Sequence, residues 1–263
     1  MSQQNKSAPA ASGANSQSQE AQRKLARYDD LLFCVQTQGR VNTQMTGENW
    51  MDKARDLTES LDQPPPVDYV MASLDELAEF WASCINFKWW AKTDFQADIG
   101  NANVELVDIL HFFLSLDLVH SESSSQVATK AAKALQELGE RPSSGISLQN
   151  VRAAMKRVIH GITATSPTVD WKSFWEMAEG LGISPTVLIF KYRAKATLNR
   201  FRTAMGAAAG TYNKRWLSGK EDNYYLMLHI DSILALGEDY PGDEAIYEWL
   251  THTYSKIGAK STL

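Results

Sequence analysis

Residues 103–116 read NVELVDILHFFLSL, and this stretch decides the fold. Leu106, Val107, Ile109, Leu110, Phe112, Phe113 and Leu114 cover nearly every face of a helix, and a helix apolar almost all round is buried. Glu105 and Asp108 fall inside it three residues apart, so both carboxylates point to one side. Two like charges about 4 Å apart repel by roughly 4 kcal/mol at an effective dielectric near 20, before any desolvation. Buried acids of this kind need divalent cations or shared protons.

Upstream, Glu76 and Glu79 repeat the spacing opposite a Leu74, Leu77, Ala78, Trp81, Ile85 stripe. Alone they read as an ordinary wet helix face. Joined to Glu105 and Asp108 they read as a four-carboxylate cage, since bundles that hold paired metals use inward acids from facing helices. Oxygen ligands suit Mg²⁺, Mn²⁺ or Ca²⁺ rather than zinc.

Helical periodicity runs through the rest, with helices expected near 21–38, 47–62, 72–90, 101–118, 124–138, 146–162, 169–180, 184–204, 223–237 and 242–256, and no alternating strand pattern. Ser73 stands three residues before Glu76 at capping-box spacing, and Ser184-Pro185 places proline in a first turn. Residues 93–103 form a long polar connection between the two acidic helices, which reads either as a segment that folds in part over a ligand or as a mobile tip. Residues 1–20, polar and without an apolar run, have neither a secretory signal nor the arginines of a transit peptide and are expected to form a disordered tail. Residues 21–263 are expected to form one all-α domain, with a metal-binding core to about 120 and a helical second part beyond it.

No apolar stretch of about 18 residues is free of charge, so no membrane span is expected. Cys34 and Cys84 lack ligand spacing and read as free thiols of a reducing, cytoplasmic compartment. Charge is uneven. Residues 191–223 hold eight Lys or Arg against two acids, a local +6 in a chain of net −5, which leaves −11 elsewhere. Opposite fields on one chain suit a metal-chelated polyphosphate that bridges them.

Within the basic segment, Tyr192, Lys195, Asn199 and Arg202 share a helical stripe that could track a phosphate chain. A solvated face, a single-stranded nucleic-acid surface and a phosphate clamp all fit these residues, and the acidic couplets favour the clamp. Gln38 and Asn42, four apart, read either as helix-end caps or as amides for a base edge. His111 reads as a hydrogen-bonded core histidine. In FKWW, residues 87–90, Lys88 beside Trp89 and Trp90 could flank a base and a phosphate.

At QGRVN (38–42), ELAEFW (76–81), FKWW (87–90), NANVELVDILHFFLSL (101–116), LNRFR (198–202), GTY (210–212) and GKEDN (219–223), the sequence resembles the dimeric all-α dUTPases, relatives of the MazG-type pyrophosphatases. The resemblance implies an all-α bundle of the NTP pyrophosphatase type, with a rigid four-helix core and additional C-terminal helices. It implies a homodimer that hydrolyses dUTP, and dUDP, with Mg²⁺ held at Glu76, Glu79, Glu105 and Asp108. Glu76 or Glu79 would activate the water. Gln38, Asn42, Trp90 and His111 would line the uracil and deoxyribose pocket, and Phe112 would pack on the sugar. Lys195, Asn199, Arg202, Tyr212, Lys214, Lys220 and Asn223 would hold the phosphates, assisted by Lys88. A dCTP or broader pyrimidine pyrophosphatase stays open, as does a non-enzymatic helical module for nucleic acid or protein, although an acidic chain disfavours broad nucleic-acid binding.

Overall fold

The computed structural model describes residues 12–56, with side chains from residue 27, and residues 67–86, 90, 94–139, 145–216 and 219–258. The helices are α1 (Ser12–Thr46), α2 (Trp50–Arg55), α3 (Tyr69–Cys84), α4 (Ile99–Val119), α5 (Ser124–Leu138), α6 (Leu148–Ile162), α7 (Trp171–Gly180), α8 (Pro185–Ala204), α9 (Asp222–Ala235) and α10 (Asp243–Thr253). Among the described residues there is no strand, only one isolated bridge between Arg215 and Glu221. The expected all-α class holds.

Helix α4 is the axis of the bundle, as its sequence requires. Leu106, Val107, Ile109, Leu110, Phe113 and Leu114 are wholly buried, and α1, α2, α3, α5 and α8 all pack against it. Each such side chain contributes about 1.5–3 kcal/mol by leaving water. Phe113 also meets Trp171 and Phe174 of α7 edge to face. Truncating it to alanine would cost about 3–5 kcal/mol.

A second apolar core is built from Leu198 and Phe201 of α8, Trp216, Leu226 and Ile230 of α9, and Ile246 and Leu250 of α10. Helix α8 serves both. Leu188, Ile189, Tyr192 and Ala196 enter the first core, whereas Ala194, Leu198 and Phe201 enter the second. Its remaining stripe, Lys191, Lys195, Asn199 and Arg202, faces the seam between them.

Short polar caps set the helix starts. Asp68 accepts from Val70 and Met71 N–H at α3, Asp98 from Asn101 N–H at α4, Asp170 from Ser173 N–H at α7, and Ser184 from Val187 N–H at α8. Each is worth about 1 kcal/mol. The Ser184-Pro185 reading holds. The capping box at Ser73 does not, because α3 starts a turn earlier at Asp68, and the Ser73 hydroxyl is buried and donates to Tyr69 O.

Other boundaries differ as well. Helix α1 runs through Gly39 to Thr46 instead of ending at 38, and it begins at Ser12 rather than 21. Helix α2 spans six residues of the expected 47–62, of which 57–62 lie outside the described residues. Helix α3 stops at Cys84, where Ile85 turns extended with φ −125°. Its buried stripe is Tyr69, Ser73, Leu77, Phe80 and Cys84, whereas Ala78 is exposed. The stripe lies rotated from the expected one, with Ser73 buried and its hydroxyl satisfied within its own helix. Glu76, three residues after Ser73 and four before Phe80, therefore borders the core.

Candidate functional site

The seam holds a cavity of about 730 Å³ whose walls come from α1, α3 and α4 on one side and from α8, α9, Lys214, Lys220 and Glu221 on the other. Glu76 of α3 and Glu105 and Asp108 of α4 each bring a carboxylate oxygen within 4.8 Å of the others. Glu79 is exposed and lies outside this trio, yet it lines the same cavity. At such spacing each pair of charges repels by roughly 3–4 kcal/mol at an effective dielectric near 20. The acids respond by holding their protons. Burial, reinforced by Asp108, Glu105 and Glu79, pushes Glu76 up to about 8. Burial together with Asp108 and Glu79 pushes Glu105 up to about 7, and Lys195 and the Asn101 amide pull the other way.

Two side chains fix this cluster. Lys195 Nζ lies 2.8 Å from Asp108 Oδ2. Asn101 donates to Glu105 Oε1 at 2.9 Å and to Ser83 Oγ at 2.7 Å, tying the end of α3 to the start of α4. The expectations above did not include Asn101, although its position one turn before Glu105 was readable. The cluster fits a hard dication: its donors are all carboxylate oxygens, and the raised proton affinities mark an excess of negative charge.

Beside the acids, one polar chain crosses α1, α4 and α8. Gln38 Nε2 donates to Asn42 Oδ1 at 2.8 Å, and Asn42 Nδ2 donates to Ser115 Oγ at 3.0 Å. Gln38 Oε1 faces His111 Nδ1 at 2.7 Å and the Tyr192 hydroxyl at 3.0 Å. With Gln38 Oε1 as acceptor, Nδ1 carries the ring proton and Nε2 is left with its lone pair. That Nε2 is buried without a hydrogen-bond partner among the described residues. Burial holds His111 down to about 3, so the ring stays neutral. Gln38 and Asn42 are thus interior helix residues rather than helix-end caps, and both line the cavity together with His111 and Phe112. Tyr192, one of the stripe residues expected to follow phosphates, is instead wholly buried, its ring tilted 31° against that of His111 with centroids 4.2 Å apart.

At the other end the cations are paired. Asp222, fully buried, accepts from Arg202 Nε at 2.8 Å and Nη2 at 2.6 Å, from the Tyr212 hydroxyl at 2.8 Å and from Asn223 N–H at 2.8 Å. Arg202 further donates to Asn199 Oδ1 and Asn223 Oδ1. Burial, with Asp222, raises the Tyr212 hydroxyl far above the ordinary range. Lys214 pairs with Glu221 at 2.8 Å, and Lys220 lies 5.4 Å from the Tyr224 ring. Asn199, Arg202, Lys214, Lys220 and Asn223 line the cavity, whereas Tyr212 sits behind Arg202 and does not. Asp222 was missed at the sequence level because an acid in a basic run reads as a counter-charge until its burial is known.

One expected residue stands apart. Trp90 is 63 % exposed and is not part of the cavity wall. Lys88 lies outside the described residues. Helix α3 ends at Cys84, so helical spacing no longer carries Trp90 toward the acids.

No curated protein matches the chain. A family model described as dUTPase matches residues 30–206, which hold α1 from Asp30, the acid-bearing α3 and α4, and all of α8, and stop before Tyr212. Because that match covers well over half of the 263 residues, the chain belongs to the all-α dUTPase family.

Proposed function

We propose that this protein hydrolyses dUTP to dUMP and pyrophosphate with Mg²⁺ as its metal, that Mn²⁺ can replace it, and that dUDP is a second substrate. The observation that carries this reading is a single cavity in which Glu76, Glu105 and Asp108 converge opposite a cationic wall. Glu76, Glu79, Glu105 and Asp108 would hold the metal, which would neutralise phosphate charge and lower the pKa of a bound water. Glu79, which lines the cavity outside the tight trio, or Glu76 would accept the proton of the attacking water on a carboxylate oxygen. Attack at the β-phosphorus breaks its bond to the α–β bridging oxygen. That oxygen leaves with dUMP, and the water oxygen stays in pyrophosphate.

Lys195, Asn199, Arg202, Lys214, Lys220 and Asn223 supply donors for the phosphates, and Tyr212 acts through Asp222. Phe112, 6.5 Å from the Tyr69 ring, forms an apolar wall with it that suits a deoxyribose. His111 Nε2 and the spare amide hydrogens of Gln38 and Asn42 offer an acceptor and donors to the nucleoside. The chain carries a net charge of −5, which disfavours broad nucleic-acid binding by the basic segment. No described helix is long and apolar enough to cross a membrane. A homodimer is part of the same reading, and light scattering at micromolar concentration should return twice the chain mass.

The test is pyrophosphate release from dUTP, dCTP, dTTP, dATP and dGTP, with Mg²⁺ and then with chelator. Release from dUTP that chelator abolishes is expected. Absence of release from dUTP overturns the reading, and equal release from dCTP replaces it with the broader pyrimidine enzyme.

A further inference from the structure

Tyr254, just past the end of α10, converges on the backbone that carries Lys214. In this part of the sequence Tyr247, Leu250, Tyr254 and Ile257 follow one another at helical spacing and make one apolar stripe. The stripe packs against the second core, and Tyr254 opens a wider, π-type turn over Tyr254–Gly258. A side chain that only filled the core would meet the helices around it. Tyr254 reaches further.

Its ring stacks on Tyr212 with centroids 5.1 Å apart, leans on Trp216 at 5.9 Å and meets Phe201 of α8 edge to face at 5.6 Å. Its hydroxyl accepts the Asn213 N–H at 3.3 Å. Three of these partners, Tyr212, Asn213 and Trp216, bracket Lys214. From the other side, Lys214 O accepts the Asp222 N–H at 3.0 Å, and the Trp216 N–H donates to Lys220 O at 2.9 Å. Residues 212–216 are thus held between Tyr254 and the backbone at Lys220 and Asp222.

Such ties matter because the segment lies outside every helix. It has no repeating ladder of backbone hydrogen bonds to fix it, and ordering each residue costs conformational entropy. The ring contacts and the Asn213 bond supply that order from a distant part of the chain. Lys214 lines the cavity on a flexible stem, so the reach of its ammonium depends on a fixed origin for that stem.

We propose that Tyr254 is a positioning residue, which holds residues 212–216 in place and thereby sets Lys214 against the substrate phosphates. This rests on the dUTP reading. Tyr254 itself is not part of the cavity wall, and it acts through the segment it anchors.

The experiment is kcat and KM for dUTP, with Mg²⁺, in the wild type, Tyr254→Leu, Tyr254→Phe, Lys214→Met and the double variant Tyr254→Leu with Lys214→Met, together with the melting temperature of each. Leucine refills the core but ends the ring contacts and the Asn213 bond. Tyr254→Leu should lower kcat/KM by about 10- to 100-fold, the scale of a small displacement of a binding group. The loss should fall on KM, because a grip on the phosphates acts alike in the ground and transition states. Tyr254→Phe keeps the rings and drops only the acceptor, so KM should rise by about 2- to 10-fold. In the Lys214→Met background Tyr254→Leu should cost nothing further. An unchanged KM in a Tyr254→Leu protein that melts like the wild type overturns the proposal and leaves the dUTP reading intact, and should that variant fail to fold, Tyr254→Phe decides by the same measure. Losses that multiply in the double variant also overturn it, since Tyr254 would then not act through Lys214. A wild type that fails to turn over dUTP takes both down.

Discussion

Lys195 Nζ of α8 lies 2.8 Å from Asp108 Oδ2 of α4, and this ion pair joins the acid cluster to the cationic wall. Both side chains are largely buried, so neither is compensated by water. Replacing Lys195 with methionine should destabilise the metal-free protein by about 3–5 kcal/mol, the cost of leaving a buried charge without its partner. Mg²⁺ should recover part of that loss by binding only the folded state. Chemical denaturation of both proteins with and without Mg²⁺ measures it, and an unchanged midpoint for Lys195→Met contradicts the pairing.

Proton affinity makes the metal-free fold sensitive to pH. Glu76 at about 8 and Glu105 at about 7 bind protons more tightly than at their ordinary value of 4.5. Their contribution is fully present below about pH 4.5 and is lost as pH rises through 7–8. His111, held at about 3 against 6.5, contributes in the opposite sense, with stability lost only as pH falls below 6.5. Between pH 6.5 and 8 the two acids therefore act alone, and the melting temperature in chelator should fall across that window. Glu76→Gln should flatten the fall, and Mg²⁺ should remove it. A melting temperature that rises between pH 6.5 and 8 in chelator would count against a charged cluster.

Asn101 holds Glu105 in place. Its amide donates to Glu105 Oε1 and to Ser83 Oγ at once. Outer partners of metal-binding carboxylates typically carry 10–100-fold in affinity or activity. Asn101→Ala should lose about that much in apparent Mg²⁺ affinity for dUTP turnover. Titration of activity against Mg²⁺ reads it directly, and a superimposable curve would remove Asn101 from the site.

Asp222 binds Arg202, Tyr212 and the start of α9 together. Asp222→Ala leaves a largely buried guanidinium unpaired and should cost about 3–5 kcal/mol of stability. Tyr212→Phe removes one neutral donor and should cost about 1 kcal/mol. Comparing the two by urea denaturation separates the ion pair from the hydroxyl, and equal losses would contradict this division.

Helix α5 falls where the sequence places it, at 124–138, and α6, α7, α8 and α10 start within two residues of expectation. These segments carry their own punctuation: Ser123, Asp170 and Ser184 cap starts, and Gly182, with φ +76°, follows the end of α7. Helix α1 shows the opposite case. A helical glycine costs about 1 kcal/mol, which argues for a stop near Gly39. Packing of α1 on α4 and the Gln38, Asn42 and Ser115 hydrogen bonds outweigh that local preference. No sequence window contains both sides of such a contact.

The sequence alone determined an all-α bundle with α4 at its centre, because a segment apolar on nearly every face has no stable place except the interior. It also determined that Glu105 and Asp108 share one side of that helix, since i, i+3 spacing is a property of helical geometry. Tertiary structure decided that Glu76 borders the core while Glu79 stays outside the tight trio, that Lys195 reaches Asp108 across 87 positions, and that Asp222 rather than solvent receives Arg202. Those outcomes depend on how α3 rotates against α4 and where α8 crosses between two cores. Rotation and crossing are set by the fit of side chains from distant segments, and local periodicity carries no record of that fit.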